Sequence, residues 1–212
     1  PSGDGRGDPP DLRRAEPALD GGLWIATTRA GLLHYHPDGG RLRQYRHDPT
    51  DPYSLSHDLV HCVLEMADGR VWVCTNARLN LLDPDSGHVM RFVHDPADPA
   101  SLSGDRVRAL LLDRGGSLWV GTHSGLNRLH LREDGSPGFE RFTRRDIDDD
   151  RGFIVFNLVE DRDGLLWLGT NEGIVSFDTG TRRFRQFHLR DGLQDLEFNG
   201  GAQRVLADGS VL

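Results

Sequence analysis

Four tryptophans set the frame of this chain. Trp24, Trp72, Trp119 and Trp167 stand 48, 47 and 48 residues apart, and each sits in the same phrase. The copies read GGLWIATTRAGLLHY, DGRVWVCTNARLNLL, GGSLWVGTHSGLNRL and DGLLWLGTNEGIVSF. Ahead of the second and third, HDPTDPYSLSHDLV from His47 and HDPADPASLSGDRV from His94 recur at the same interval of 47. A fifth copy begins with Asp208-Gly209 and stops at Leu212, where its tryptophan is due. A fixed period of this length means that one supersecondary unit is copied along the chain, and that each copy is completed by its neighbours.

Within a copy, an apolar stretch bounded by turn residues, such as VRALLLD (Val107 to Asp113), predicts a buried first strand. A Gly-rich or Asp-Gly turn follows at Asp68-Gly69, Gly115-Gly116 and Asp163-Gly164, the strongest short-range hairpin signal. SLWVGT predicts a second strand from its aromatic and β-branched residues. A polar loop ending in Gly31, Gly125 or Gly173 leads into a third, such as LNRLHL, and HVMRFVH, GFERFTR and RFRQFHL supply the fourth. No segment keeps a 3.6-residue period, so helices are absent or trivial.

Four antiparallel strands in about 47 residues, repeated, predict an all-β fold of β-propeller blades. A plain β-sandwich has regular turns too, but it does not repeat one phrase at a fixed interval. The tryptophan of each second strand is expected to fill the wedge between blades. Closed propellers have about 4–8 blades, and residues 20–212 hold four copies plus the start of a fifth. The chain begins with Pro1 and ends inside a copy, so the expectation is an incomplete arc of a larger ring. An open arc exposes strand edges and an apolar blade face, which predicts self-association. Residues 1–19, rich in Pro, Gly, Asp and Arg, fit no copy and are expected to be a disordered or non-native leader.

Composition removes other classes. The net charge is −8, with 33 acidic residues against 25 basic ones, all arginine, so no basic face for nucleic acid is expected. No window approaches the ~20 apolar residues of a membrane span. Glycine, at 26 of 212 residues, exceeds its usual share of roughly 7% and fits a fold full of tight turns.

The phrase G-x-L-W-[VIL]-[GAC]-T-x-x-G-L, preceded by H-D-P-x-D-P-x-S-L-S-x-D-x-V, resembles the two-component regulator propeller repeat, and the resemblance runs from about Asp20 almost to the end of the chain. That family supplies periplasmic input regions of bacterial signalling proteins, usually as seven-bladed rings. The segment Gly192 to Leu212, with its E-F-N-G-G-A phrase, is similar to the family's closing blade. There a Tyr-rich immunoglobulin-like module, a membrane helix and a histidine kinase or diguanylate cyclase follow. The resemblance therefore implies a periplasmic, non-catalytic sensor fragment of an inner-membrane parent that acts as a dimer. Arg78 departs from the pattern, standing where other copies have glycine, so its loop is strained or remodelled.

Direct chemical motifs are few. There is no P-loop, G-x-S-x-G elbow, H-E-x-x-H or Cys-pair zinc spacing. Cys62 and Cys74 lie equidistant from the turn near residue 68 and could pair, but two buried free thiols are the expected reading. Asp146, Asp148 and Asp150 have the spacing of a calcium loop. The glycine falls at its seventh position instead of its sixth and Asn157 replaces the closing Glu, so a solvated acidic loop is expected. His34 and His36 share a strand face without an evident third ligand, so no metal is assigned, and no cofactor either.

Recognition is expected on the loops from fourth to first strand and from second to third, which leave a propeller on one face. The candidates for contacting an oligosaccharide or other small ligand are Arg29, Asn76, Arg78, His123, Asn171 and Glu172 on the short loops. His57, Asp105 and Asn199 join them from the long ones. Two other classes stay open. A lyase or glycan-processing enzyme needs His, Glu or Asp converging from the first strands, where only His61 and Glu65 are available. A protein-interaction scaffold would use the same loop face.

Overall fold

The computed structural model describes residues 11–142, 154–187 and 191. Every element within them is a β-strand, and the sixteen strands form four four-stranded sheets, each a meander in chain order. The first sheet holds β1 (Leu12–Pro17), β2 (Leu23–Thr27), β3 (Leu32–His36) and β4 (Arg41–Tyr45). The second holds β5 (Val60–Glu65), β6 (Val71–Thr75), β7 (Leu79–Leu82) and β8 (Val89–Phe92). In the third are β9 (Val107–Leu112), β10 (Leu118–Thr122), β11 (Gly125–Leu131) and β12 (Pro137–Phe142), and in the fourth β13 (Val155–Glu160), β14 (Leu165–Thr170), β15 (Gly173–Asp178) and β16 (Arg183–Phe187). The sheets gather into two compact units, one built on the first pair and one on the second, with Asn76–Leu79 grouping with the latter.

One packing rule builds both units. In the first, Trp24, Ala26, Leu32 and Tyr45 on one face of sheet one meet Val71, Val73, Leu82 and Val89 on the opposite face of sheet two. In the second, Trp119, Leu126 and Phe142 meet Leu166, Leu168, Val175 and Phe177 in the same arrangement. Strand alternation makes this possible: Trp24 and Trp119 are each 1% exposed, while the residues before and after them point the other way. Trp24 and Trp119 thus fill the space between the two sheets of their own units, as the spacing predicts. Close approach fixes the residue two positions on. A Cβ at Gly121 would lie 2.7 Å from Val155 Cγ1 on the first strand of the next sheet, which leaves room for nothing larger.

Two expectations need correction. Residues 12–17 are not leader but the first strand of the first sheet, paired with β2 from Leu12↔Thr27 to Pro17↔Leu23. Their sequence LRRAEP hides this because the strand is almost wholly exposed and so needs no apolar alternation. Cys62 and Cys74 are not free thiols but a disulfide. They sit directly opposite each other with Cα atoms 5.0 Å apart, within bridging range, beside a register irregularity at Val60/Cys62 of the kind that adds local twist. Of the two alternatives at Arg78, a strained loop or a remodelled one, the second holds. Gly31, Gly125 and Gly173 take positive φ, whereas Arg182 is the sole non-glycine residue to do so among the described residues. The acidic run from Asp146 to Gly152 lies outside the described residues.

Candidate functional site

The predicted recognition loops do come together, blade by blade. In the first unit the short loop bearing Arg29 meets the long loop bearing Asp58. Gly31 N donates to Asp58 O at 2.9 Å, and Arg46 bridges Asp58 Oδ2 at 2.7 Å and Arg29 O at 3.4 Å. Burial pushes the Asp58 carboxyl up, but Arg46 and the His47 N–H outweigh it and hold the group below the usual carboxylate range. Arg29 itself is exposed and reaches Asp11 at 3.5 Å.

In the second unit His123 N donates to Arg106 O at 3.0 Å, and Arg108 Nε donates to His123 Nε2 at 2.8 Å. Burial, then Arg108 and Arg106, push the His123 pKa down and favour the neutral ring; with Nε2 accepting from Arg108, the neutral ring carries its proton on Nδ1. Asn171 Oδ1 accepts from Ile154 N at 2.9 Å, and Glu172 N is tied to Thr170 Oγ1 at 3.1 Å. Asn76 and Arg78 are half-buried on their remodelled loop. Asn199 lies outside the described residues.

The long connections prove to be internally satisfied. His47 N and His94 N donate to Asp58 Oδ1 and Asp105 Oδ1, and the two histidine Nδ1 atoms engage Leu55 O and Leu102 O. Ser54 and Ser101 hydroxyls accept from Asp48 N and Asp95 N. Arg91 on β8 and Arg141 on β12 then reach into these loops. Each Nε donates to a serine carbonyl, Ser54 O at 2.9 Å and Ser101 O at 2.8 Å. His57 Nδ1 accepts from Leu59 N at 2.8 Å. Two of the long-loop candidates, His57 and Asp105, therefore brace the backbone with atoms a ligand would need. Beneath the loops, Ser103, Thr122 and Asn127 form a buried network. Asn127 Oδ1 accepts from Ser103 N at 2.8 Å, and Ser103 Oγ lies 2.8 Å from Thr122 Oγ1. Ser56, Thr75 and Asn80 repeat it in the first unit.

A site that sequence reasoning passed over lies at the other end of the first unit. Between the turns of sheets one and two opens a polar cleft of about 390 Å³. His34 stacks on Trp24 with ring centroids 4.1 Å apart, and Trp24 Nε1 donates to Glu65 Oε2 at 2.9 Å. His34 Nε2 lies 3.3 Å from Asp20 Oδ1, and His36 Nε2 lies 3.0 Å from Asp20 O. Arg43 donates to Pro84 O at 2.6 Å. The alternation of His34 and His36 was the available signal. Asp20 and Pro84 join them from turns 14 or more residues away, which no local pattern announces. Arginines and carboxylates line much of the cleft beside the Trp24 ring, so it offers both hydrogen-bonding groups and an apolar surface to a ligand. Among the described residues no three His, Cys, Asp or Glu side chains gather as a metal-binding group, and no helix is long and apolar enough to cross a membrane.

Comparison with known proteins bears on the same blades. No curated protein sequence matches the chain. Among solved structures, the extracellular domain of a B. thetaiotaomicron protein assigned to the hybrid two-component systems shares 23% identity, with a TM-score of 0.66 over 86% of this chain and 24% of that one. A second such domain, assigned to a one-component system of the same organism, gives 19% identity and a TM-score of 0.74 over 99% and 27%. A virginiamycin B lyase from Staphylococcus aureus gives 14% identity and a TM-score of 0.62 over 95% and 62%. The chain thus spans about a quarter of the length of the two-component-system domains it resembles. These likenesses establish the propeller fold. Residues 101–124 and 151–172 match the profile described as "Two component regulator propeller", and the phrase they carry recurs around Trp24 and Trp72.

Proposed function

We propose that the chain is a non-catalytic recognition region within the periplasmic input part of a bacterial signalling protein, with a histidine kinase or diguanylate cyclase as output in the parent. One observation carries this reading. The repeats that match the two-component regulator propeller profile lie in a fold that follows extracellular domains of signalling proteins over 86% or more of the chain. The disulfide fits an oxidising compartment such as the periplasm. The ligand is hydroxyl-rich, an oligosaccharide in the first instance. It is held by directional hydrogen bonds from the short loops of the second unit at His123, Asn171 and Glu172, because the long-loop side chains are already engaged.

The test is a thermal-shift screen of the chain against neutral oligosaccharides, followed by a product assay on any hit. Binding to the folded state alone raises the melting temperature with concentration. The expected hit loses its shift in His123→Ala or Glu172→Ala and leaves the glycan intact. Loss of the shift in His36→Ala but in neither loop variant would move recognition to the cleft. Cleavage abolished by His61→Ala would replace sensing with catalysis.

A further inference from the structure

The two units, built by one packing rule, differ at the end where the cleft lies. In the second, the chain fills that place with its own charges. Glu140 on β12 stands opposite Arg128 in register, and Arg128 clasps it at 2.7 Å while Arg182 reaches it from the next sheet at 2.9 Å. Arg182 does so from a φ of 59°, at the turn position that Gly87 fills in sheet two. The N–H of each donates to the carbonyl of the aspartate that opens the turn, Asp178 or Asp83.

In the first unit the charges are rearranged. By register, Arg43 takes the place of Glu140 and Arg41 that of Gly138, beside His34 and His36. The result is a two-by-two block of basic side chains on the Trp24 face of sheet one. Neither arginine has a carboxylate partner: Arg43 donates to Pro84 O, and Arg41 makes no side-chain hydrogen bond or ion pair. Across the cleft, on sheet two, the carboxylates are engaged with one exception. Asp68 is held by Arg70 at 2.6 Å, Asp83 by Ser86 Oγ at 2.8 Å, and Glu65 by Trp24 and Leu19. The side chain of Asp85 has no such partner. His36 adds a further unmet demand. Its Nε2 donates to Asp20 O, so in the neutral ring Nδ1 is a bare acceptor. That atom is the one buried side-chain polar atom without a partner among the described residues.

We propose that the cleft binds a small zwitterion of the amino-acid type, with its carboxylate on the Arg41 and Arg43 guanidiniums and its ammonium group toward Asp85. A planar carboxylate matches the guanidinium fork. The acidic wall on sheet two opposes a plain anion and favours a ligand whose other end carries hydrogen-bond donors, which the His36 Nδ1 lone pair also calls for. The ligand thus supplies from outside the carboxylate that Glu140 supplies to Arg128 and Arg182 within the chain. The site uses none of the short-loop residues assigned to saccharide recognition, so either reading can fail alone.

Calorimetric titration of the chain tests it. Glycine, β-alanine and γ-aminobutyrate place the two charges at increasing separations, and at least one is expected to bind. Propionate, propylamine and inorganic phosphate are expected to bind about tenfold or more weakly, since each forfeits a charge-assisted contact. Arg41→Gln and Asp85→Asn alter exposed side chains and keep the fold, which melting curves check. Each is expected to weaken the best zwitterion about tenfold, and in Asp85→Asn that zwitterion is expected to fall to the level of propionate. No binding by any of the amino acids at millimolar concentration overturns the proposal. So does propionate or phosphate binding as tightly as the best zwitterion, which would mean a plain anion site, or propylamine doing so, which would mean a cation site. Undiminished binding in folded Arg41→Gln overturns it as well.

Discussion

The carboxylate of Glu65 on β5 holds two donors from the preceding sheet on one oxygen. Leu19 N lies 2.8 Å from Oε2 and Trp24 Nε1 lies 2.9 Å from it. Replacing Glu65 with alanine orphans the indole N–H of a residue that is 1% exposed. A hydrogen bond to a charged group contributes about 1.5–3 kcal/mol, and the exposed Leu19 amide, which water can serve, adds roughly 0.5 kcal/mol. The expected loss is therefore about 2–3.5 kcal/mol, a rise of roughly 30- to 300-fold in the opening of the first unit.

The second unit contains its own control. Glu160, one sheet-pair later, accepts from Arg114 N at 2.8 Å in the same way, but Trp119 Nε1 donates instead to Asp113 Oδ2 at 2.7 Å within its own sheet. Glu160→Ala loses an exposed amide contact and a surface ion pair, worth under about 1 kcal/mol. Hydrogen exchange read by mass spectrometry on peptides spanning β2–β3 and β10–β11 separates the two units. Glu65→Gln, which keeps an acceptor but not the charge, should fall between wild type and Glu65→Ala. Equal costs for Glu65→Ala and Glu160→Ala, or a Gln variant as damaged as the Ala variant, would refute the argument.

Three further outcomes are open to direct measurement. Alkylation of the denatured chain should label no thiol before reduction and two after it, and Cys62→Ser with Cys74→Ser should cost the first unit about 2–4 kcal/mol in urea unfolding. Asn127→Leu orphans Ser103 N and Val120 O in the buried network and should destabilise the second unit by about 1–3 kcal/mol in the same assay. His123 should titrate below a free histidine by NMR, and Arg108→Ala should raise its midpoint. Because the folded group resists protonation more than the unfolded one, its contribution to stability is present above about pH 6.5 and is lost as pH falls toward the depressed folded value.

Legibility in the sequence followed locality. The Asp-Gly and Gly-Gly turns predicted at residues 69, 116 and 164 are there with φ of 81°, 82° and 83°, because a two-residue turn is decided by its own residues. The tryptophan spacing likewise announced the sheets, since each copy obeys the same alternation. The edge strand β1 escaped because pairing to β2, and not burial, holds it. The long-loop candidates were misjudged for another reason. Asp105 looks available until His94, 11 residues back, is found donating to it, and the arginine that clamps Ser54 comes from 37 residues further on. Polar side chains that satisfy distant backbone are indistinguishable, in one dimension, from polar side chains awaiting a ligand.

The arginine clamps also say where one repeat can be cut from the next. Arg91 fastens the connection entering sheet two to that sheet's outermost strand, and Arg141 does so for sheet three. These two copies are therefore sewn shut from incoming loop to last strand, and their seam falls just ahead of the histidine that opens the loop, not at the first strand. A cassette running from His47 to Val93 carries its own stitching, whereas one that starts at Val60 leaves Arg91 reaching for carbonyls that belong to its former neighbour.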